Sequence, residues 1–193
     1  MISVAETKAR DIRDLKALNV GCGSLRHDDA VGIDWDPDSA ADVRHDLNDL
    51  PWPFEDSRFE NVRLEHVLEH LADPDRVLRE AHRVCKAGGT VRVVTPHFSS
   101  YESYGDITHK FHFGLVTFKP YYAPSRDMHA GPGRTDDKSK ALFRLRDRRL
   151  GFGSSPLCWP GRFLCALSFD LYEKYFAFWF PGRNMEFVLE VRK

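Results

Sequence analysis

The chain has 193 residues, a formal net charge of −1, 42% hydrophobic residues and 30% charged residues, enough for one domain that folds without a disulfide or metal. The apolar fraction, with 12% aromatics, excludes a disordered chain. The balanced charge argues against general binding of nucleic acid or anionic membrane, and no stretch approaches the roughly 18 apolar residues that span a bilayer.

Residues 4–15 have the pattern of a short helix, marked by Val4, Ile12 and Leu15. Leu18-Asn19-Val20-Gly21-Cys22-Gly23 is a short strand running into a glycine turn, and Ala30-Val31-Gly32-Ile33-Asp34 is a second apolar run closed by an acid. A third covers 42–47, with an acid at Asp46, before a rigid loop of Pro51, Trp52, Pro53 and Phe54. Phe59 to Leu64 reads as a fourth strand and His66 to Leu71 as a turn of helix. A helix is predicted over 74–87, with Asp73 as cap, Pro74 at its first position and Gly88 beyond its end. Its apolar face is Val77, Leu78, Ala81, Val84 and Cys85, and the strand Thr90 to Thr95 follows, closed by Pro96. Strands alternating with helical pattern predict an α/β fold with a mostly parallel sheet.

Residues 97–140 are rich in aromatics, His, Gly and Pro with little periodicity. The run 142–149 alternates, placing Arg144, Arg146 and Arg148 on one face and Phe143 and Leu145 on the other. That stripe suits either an anionic acceptor or the solvated face of an edge strand. An apolar helix is predicted over 161–180 and a last strand over 186–191.

The chemistry concentrates at strand ends. Open α/β sheets bind ligands beyond the carboxyl ends of their strands. Glycines at 21 and 23 admit close backbone approach, Asp34 can accept two ribose hydroxyls, and Asp46 can accept a base amine. No G-x-G-x-x-G phosphate cradle is present, and Asp28 and Asp29 would repel a pyrophosphate. A nucleoside with a positive centre and no phosphate fits better.

These pieces resemble class I S-adenosylmethionine-dependent methyltransferases over residues 18–97. The matching segments are LNVGCG from Leu18, VGID from Val31, DLNDLPWPF from Asp46, FENV from Phe59, HVLEHL from His66, LREAHRVCKAGG from Leu78, and the strand Thr90–Thr95. The resemblance implies a Rossmann-like mostly parallel sheet with flanking helices and S-adenosylmethionine as cofactor. It implies that Gly21, Cys22 and Gly23 pack under the cofactor's amino-acid end, that Asp34 takes the ribose hydroxyls, and that Asp46 and Leu47 flank the adenine. It places Glu65 near the methionine moiety. Seven residues separate Gly23 from Val31 and eight separate Asp34 from Val43. A parallel crossover usually takes about a dozen residues or more, so the crossover helices after strands 1 and 2 must be shortened to loops. A single domain over 1–193 is expected, with a cofactor-binding half (1–96) and an acceptor-site and C-terminal half (97–193).

The expected function is methyl transfer to an oxygen or nitrogen of a small molecule or glycan precursor. In the resembled family the stretch after the fifth strand approaches the acceptor, which singles out His109, His112 and Asp106, with His109 ahead; anchoring of a loop is the alternative role. A cofactor-binding protein without turnover is an alternative function. Another is a zinc hydrolase using His66-x-x-Glu69-His70, which matches an inverted zinc-protease motif; no residue is assigned to a metal. Cys22, Cys85, Cys158 and Cys165 form no Cys-x-x-Cys pair, and Cys85 reads as a buried small hydrophobe. Met1 to Asp14 has no apolar core, so no signal peptide and a cytoplasmic location are expected. The aromatics between Phe163 and Phe180 exceed one helical face, which leaves a core helix, a membrane-surface contact or a homodimer contact as readings.

Overall fold

A computed structural model describes residues 11–123 and 141–193. The helix expected over 4–15 lies mostly outside them, and residues 11–15 form a turn. A seven-stranded sheet organises the rest. Its strands are β1 (Ala17–Val20), β2 (Ala30–Asp34), β3 (Val43–Arg44), β4 (Phe59–Glu65), β5 (Cys85–Pro96), β6 (Phe143–Leu150) and β7 (Asn184–Val191). They lie in the order β3-β2-β1-β4-β5-β7-β6, with β7 antiparallel to both neighbours and the rest parallel. This is the expected Rossmann-like arrangement. The connections 21–29 and 35–42 contain no helix, so both early crossovers are loops.

Between β4 and β5 runs α1 (Pro74–Val84). Asp73 caps it by accepting the Arg76 N–H at 3.1 Å. The helix stops three residues before its expected end because Cys85 is already extended and pairs with Phe59. Cys85 is buried as expected, on a strand instead of a helix. The third strand is also shorter than its apolar run. Asp46 Oδ1 accepts the Asn48 N–H at 2.9 Å, which turns the chain out of the sheet.

Register assigns the side chains to two very different faces. Leu18, Val20, Val31, Ile33, Val62, Leu64, Val91, Val93, Phe187 and Leu189 share one face and are buried with Val77, Leu78, Ala81 and Val84 of α1. The opposite face carries Asn61, Arg63 and Glu65 on β4, Thr90 and Arg92 on β5, and Glu186 and Glu190 on β7. These groups pair across strands: Arg92 with Glu65 and Glu186, Thr90 with Asn61, Arg146 with Glu190. Arg63 reaches Asp29 at 2.5 Å. Asp29 is therefore neutralised by Arg63 and is not free to repel a phosphate, which corrects that part of the sequence argument. The sheet thus builds its main hydrophobic core on one side and shows charge on the other.

The arginine stripe of β6 does not survive intact. A bulge between Leu145 and Asp147 shifts the register, so Arg148 pairs with Phe187 on the core side while Arg144 stays with Glu190. Arg148 then lies over the Phe169 ring, 4.0 Å from its centroid.

Short helices α2 (Tyr101–Gly105) and α3 (Lys119–Tyr122) follow β5. The expected helix over 161–180 is two, α4 (Trp159–Leu167) and α5 (Phe169–Tyr175). Ser168 divides them: its backbone is extended and its hydroxyl accepts the Leu171 N–H to start α5. Tyr172 is fully buried beneath, donating to the Phe180 carbonyl at 2.7 Å.

Candidate active site

The glycine turn sits at the carboxyl end of β1. Gly21 and Gly23 have φ of +64° and +53°, values glycine adopts without strain. At Gly21 a Cβ would lie 2.4 Å from Val67 Cγ2, so the turn packs directly on the segment after β4. At Gly23 a Cβ would meet nothing within 4 Å, so that side of the turn is open. Gly23 N–H donates to Asp34 Oδ2 at 2.8 Å, and Asp36 N–H donates to Asp34 Oδ1 at 3.0 Å. Asp34 is therefore beside the Gly21–Gly23 turn, as expected. Each of its oxygens holds one backbone donor and keeps a second lone pair for a ligand hydroxyl.

Cys22 is buried within the turn, and burial pushes its thiol up to about 11, so it is a packed thiol and not a nucleophile. Leu47 is buried next to Gly21, while Asp46 is exposed at the rim. The Asn48 backbone N–H holds the Asp46 carboxyl below its usual range. Trp52 Nε1–H donates to the Leu47 carbonyl at 3.2 Å and so fixes this wall. Glu65 bonds Arg92 on the charged face of the sheet, so its carboxylate is engaged there. The turn, the open side of Gly23 and the spare lone pairs of Asp34 fit the adenosine and amino-acid ends of S-adenosylmethionine.

A cavity of about 470 Å³ opens at the ends of β4 and β5, lined by His66, Pro96, Tyr101, Glu102, Asp106 and His109 among others. His66, which lines it, precedes Val67, the residue on which the glycine turn packs. Backbone bonds from Lys110 and Phe111 N–H to the Glu69 carbonyl hold the 106–111 loop against the segment after β4. His109 Nδ1 lies 3.0 Å from the Ser103 carbonyl, which can only accept. The proton therefore sits on Nδ1 and Nε2 keeps its lone pair. Asp106 Oδ2 is 3.9 Å from that Nε2, and bonds from the Thr108 hydroxyl and N–H hold its carboxyl below the usual range. His112 goes elsewhere. It bonds Ser103 Oγ at 2.9 Å, stacks on Tyr104, and lines a different cavity with Phe98, Gly114 and Glu173. His109 and Asp106 thus come together, and His112 does not join them.

The motif His66-x-x-Glu69-His70 is not helical as a zinc-protease pair requires. His66 has φ of +53°, and only Leu68–His70 form a turn of 3-10 helix. His66 Nδ1 instead faces Glu69 Oε1 at 3.4 Å, and this carboxylate raises the His66 pKa. Glu173 is a residue the sequence reading missed. It breaks the apolar pattern, yet is mostly buried, bonds His97 at 3.1 Å and accepts the Leu115 and Val116 N–H groups. An acid inside an apolar helix was its only signal in the sequence.

Residues 18–93 match the family model described as a methyltransferase domain. Solved structures show the same fold. A SAM dependent methyltransferase from Archaeoglobus fulgidus superposes with a TM-score of 0.55 at 17% identity, over 93% of this chain and 87% of that one. An S-adenosylmethionine dependent methyltransferase from Mesorhizobium loti gives 0.54 at 13% identity, over 94% and 93%. Over residues 18–93 the chain is thus similar to a methyltransferase domain, and its fold is that of the solved methyltransferases. The methyltransferase fold also matches phosphoethanolamine N-methyltransferase 2 of Haemonchus contortus, solved with S-adenosylhomocysteine, with a TM-score of 0.53 at 15% identity over 91% of this chain and 48% of that one. A Streptomyces fradiae protein of transposon TN4556, 37.1 kDa and uncharacterized, is 31% identical over 81 residues. That match covers 36% of this chain and 24% of the relative, so the chain spans about a quarter of that protein's length.

Proposed function

We propose that the chain transfers a methyl group from S-adenosylmethionine to an oxygen or nitrogen of a polar small molecule or glycan precursor. The cofactor supplies an electrophilic methyl on a sulfonium. The observation that carries the reading is the cavity at the ends of β4 and β5, lined by His66, Glu102, Asp106 and His109 and one residue from the Val67 that packs on the glycine turn, with a lone pair on His109 Nε2. A cavity of about 470 Å³ lies within the usual range for small-ligand sites. His109 is the base that takes the acceptor's proton, Asp106 supports the imidazolium, and alignment of acceptor and methyl supplies much of the rate. His109→Gln is expected to lower kcat by about 10²–10⁴-fold while S-adenosylhomocysteine still binds. Unchanged turnover in this variant would remove His109 from the chemistry. A wild-type protein that binds cofactor but methylates no acceptor in a broad panel would support the binding-only reading.

The same reading takes the protein as cytoplasmic and as a homodimer through α4 and α5. No helix among the described residues is long and apolar enough to cross a membrane. Trp159, Phe163 and Leu167 follow at four-residue spacing on α4 and are 66%, 64% and 63% exposed. An apolar stripe of this kind suits a second copy better than water. Sedimentation at micromolar concentration should show a dimer that Phe163→Asp converts to monomer; a wild-type monomer at that concentration would refute the contact.

A further inference from the structure

We infer that Glu69, His70 and His109 form a binding site for a divalent transition ion, zinc being the best match, at the edge of the cavity that His109 lines. Three independent features converge there. One potential ligand atom from each residue lies within 4.8 Å of the others. Glu69 is 1% exposed, and while its Oε2 accepts the Thr95 hydroxyl at 3.0 Å, no hydrogen bond reaches its Oε1. His66 Nδ1 faces that oxygen at 3.4 Å without a hydrogen bond, and a carboxylate oxygen buried without a donor is costly and favours a cation.

The third feature is the tautomer of both imidazoles. Thr108 Oγ1 gives its single proton to Asp106 Oδ1 at 2.7 Å, so it accepts from His70 Nδ1 at 2.8 Å. His109 Nδ1–H likewise donates to the Ser103 carbonyl. Both rings therefore offer Nε2 lone pairs, oriented by partners behind them, as outer-shell groups orient metal-bound histidines. The two rings already meet edge to face with centroids 4.6 Å apart.

Two imidazoles and one carboxylate are a common zinc set, with metal–ligand distances of about 2.0–2.2 Å. Ligand atoms in such a set sit roughly 3.3 Å apart, so modest side-chain rotation closes this one. Three protein ligands leave a fourth position for water or an oxygen of the acceptor. The acceptor class is then a hydroxyl compound that can coordinate, such as a sugar or a hydroxy acid. A bound ion would occupy the His109 lone pair and polarise the acceptor oxygen, and the Asp106 carboxylate, 3.9 Å from His109 Nε2, would then be the group placed to take the acceptor's proton.

The inference rests on the cavity being the acceptor site, but ion binding is measured without cofactor or acceptor. Chelator-treated protein is titrated with Zn²⁺ and with Co²⁺. One equivalent is expected to bind, and Co²⁺ should show the intense visible bands of a four-coordinate ion. His70→Asn, His109→Asn and Glu69→Gln should each weaken binding at least about 10-fold. Thr108→Val should weaken it less, through loss of ring orientation. Circular dichroism and S-adenosylhomocysteine affinity serve as controls, and both should stay unchanged in His70→Asn. The proposal is overturned by absence of binding at millimolar ion, by binding that all four variants retain, or by a thiolate charge-transfer band that moves the ion to a cysteine. None of those results touches methyl transfer, which S-adenosylhomocysteine binding tests separately.

Discussion

Asp34→Ala is expected to weaken S-adenosylhomocysteine binding by about 10²–10⁴-fold in calorimetry. The wild-type carboxylate keeps one lone pair per oxygen for the two ribose hydroxyls, and hydrogen bonds to a charged group are worth about 1.5–3 kcal/mol each. Asp34 also holds the Gly23 and Asp36 N–H groups, so alanine strands two backbone donors beside the glycine turn. Asn keeps one acceptor oxygen and should fall between the two. A dissociation constant that does not move in Asp34→Ala would mean the ribose is gripped elsewhere, and the nucleoside slot would have to be redrawn.

The largest loss of stability is expected in Glu80→Ala. Glu80 Oε1 accepts the Trp52 N–H at 2.7 Å and Arg83 Nη2 at 2.6 Å, and Oε2 accepts Arg83 Nε at 2.9 Å. Arg83 also bonds the Phe54 and Trp52 carbonyls and Asp56, and the Glu80 carboxylate raises its pKa. The Glu80 side chain is only 8% exposed. Removing it leaves a guanidinium and a buried N–H short of acceptors, which costs about 3–5 kcal/mol for a fully buried pair. Arg83 is 27% exposed, so the lower end applies. At roughly 2–4 °C per kcal/mol for a domain of this size, thermal unfolding should shift down by about 6–12 °C. Cofactor affinity should drop slightly, because Trp52 braces Leu47. A shift below about 2 °C would show that solvent already screens the cluster.

The parts of the site visible in the sequence are those set by local spacing. A strand, a glycine turn and an acid closing the next strand put Gly21, Gly23 and Asp34 together through parallel pairing of adjacent strands. Pro74 after Asp73 announced α1, and alternation announced β6 and β7. Elements that depend on distant backbone contacts were hidden. Glu69 and His109 are forty residues apart and meet because Lys110 and Phe111 bond the Glu69 carbonyl. Glu173 looked like an interruption, although it is the acid that anchors Leu115 and Val116. A period-two reading of β6 kept Arg148 with Arg144 and Arg146, since a bulge leaves no mark on composition. Glu65 was placed by analogy of position, and Arg92 one strand away decides where its charge goes.

Charge on one side of the sheet changes how this molecule spends its length. Where Arg63 pairs with Asp29 and Arg92 with Glu186, the slab needs no helical coat, and loops of nine and eight residues are enough to carry the chain between its first three strands. Small residues at Ala17, Ala30 and Gly32 on that side let those loops lie flat. The result is a scaffold in which the glycine turn and Asp34 are flanked by loops in place of crossover helices. Both loops begin with residues that are fixed in place, since Gly21 packs on Val67 and Asp36 N–H holds Asp34, so any change in their length has to fall beyond those residues.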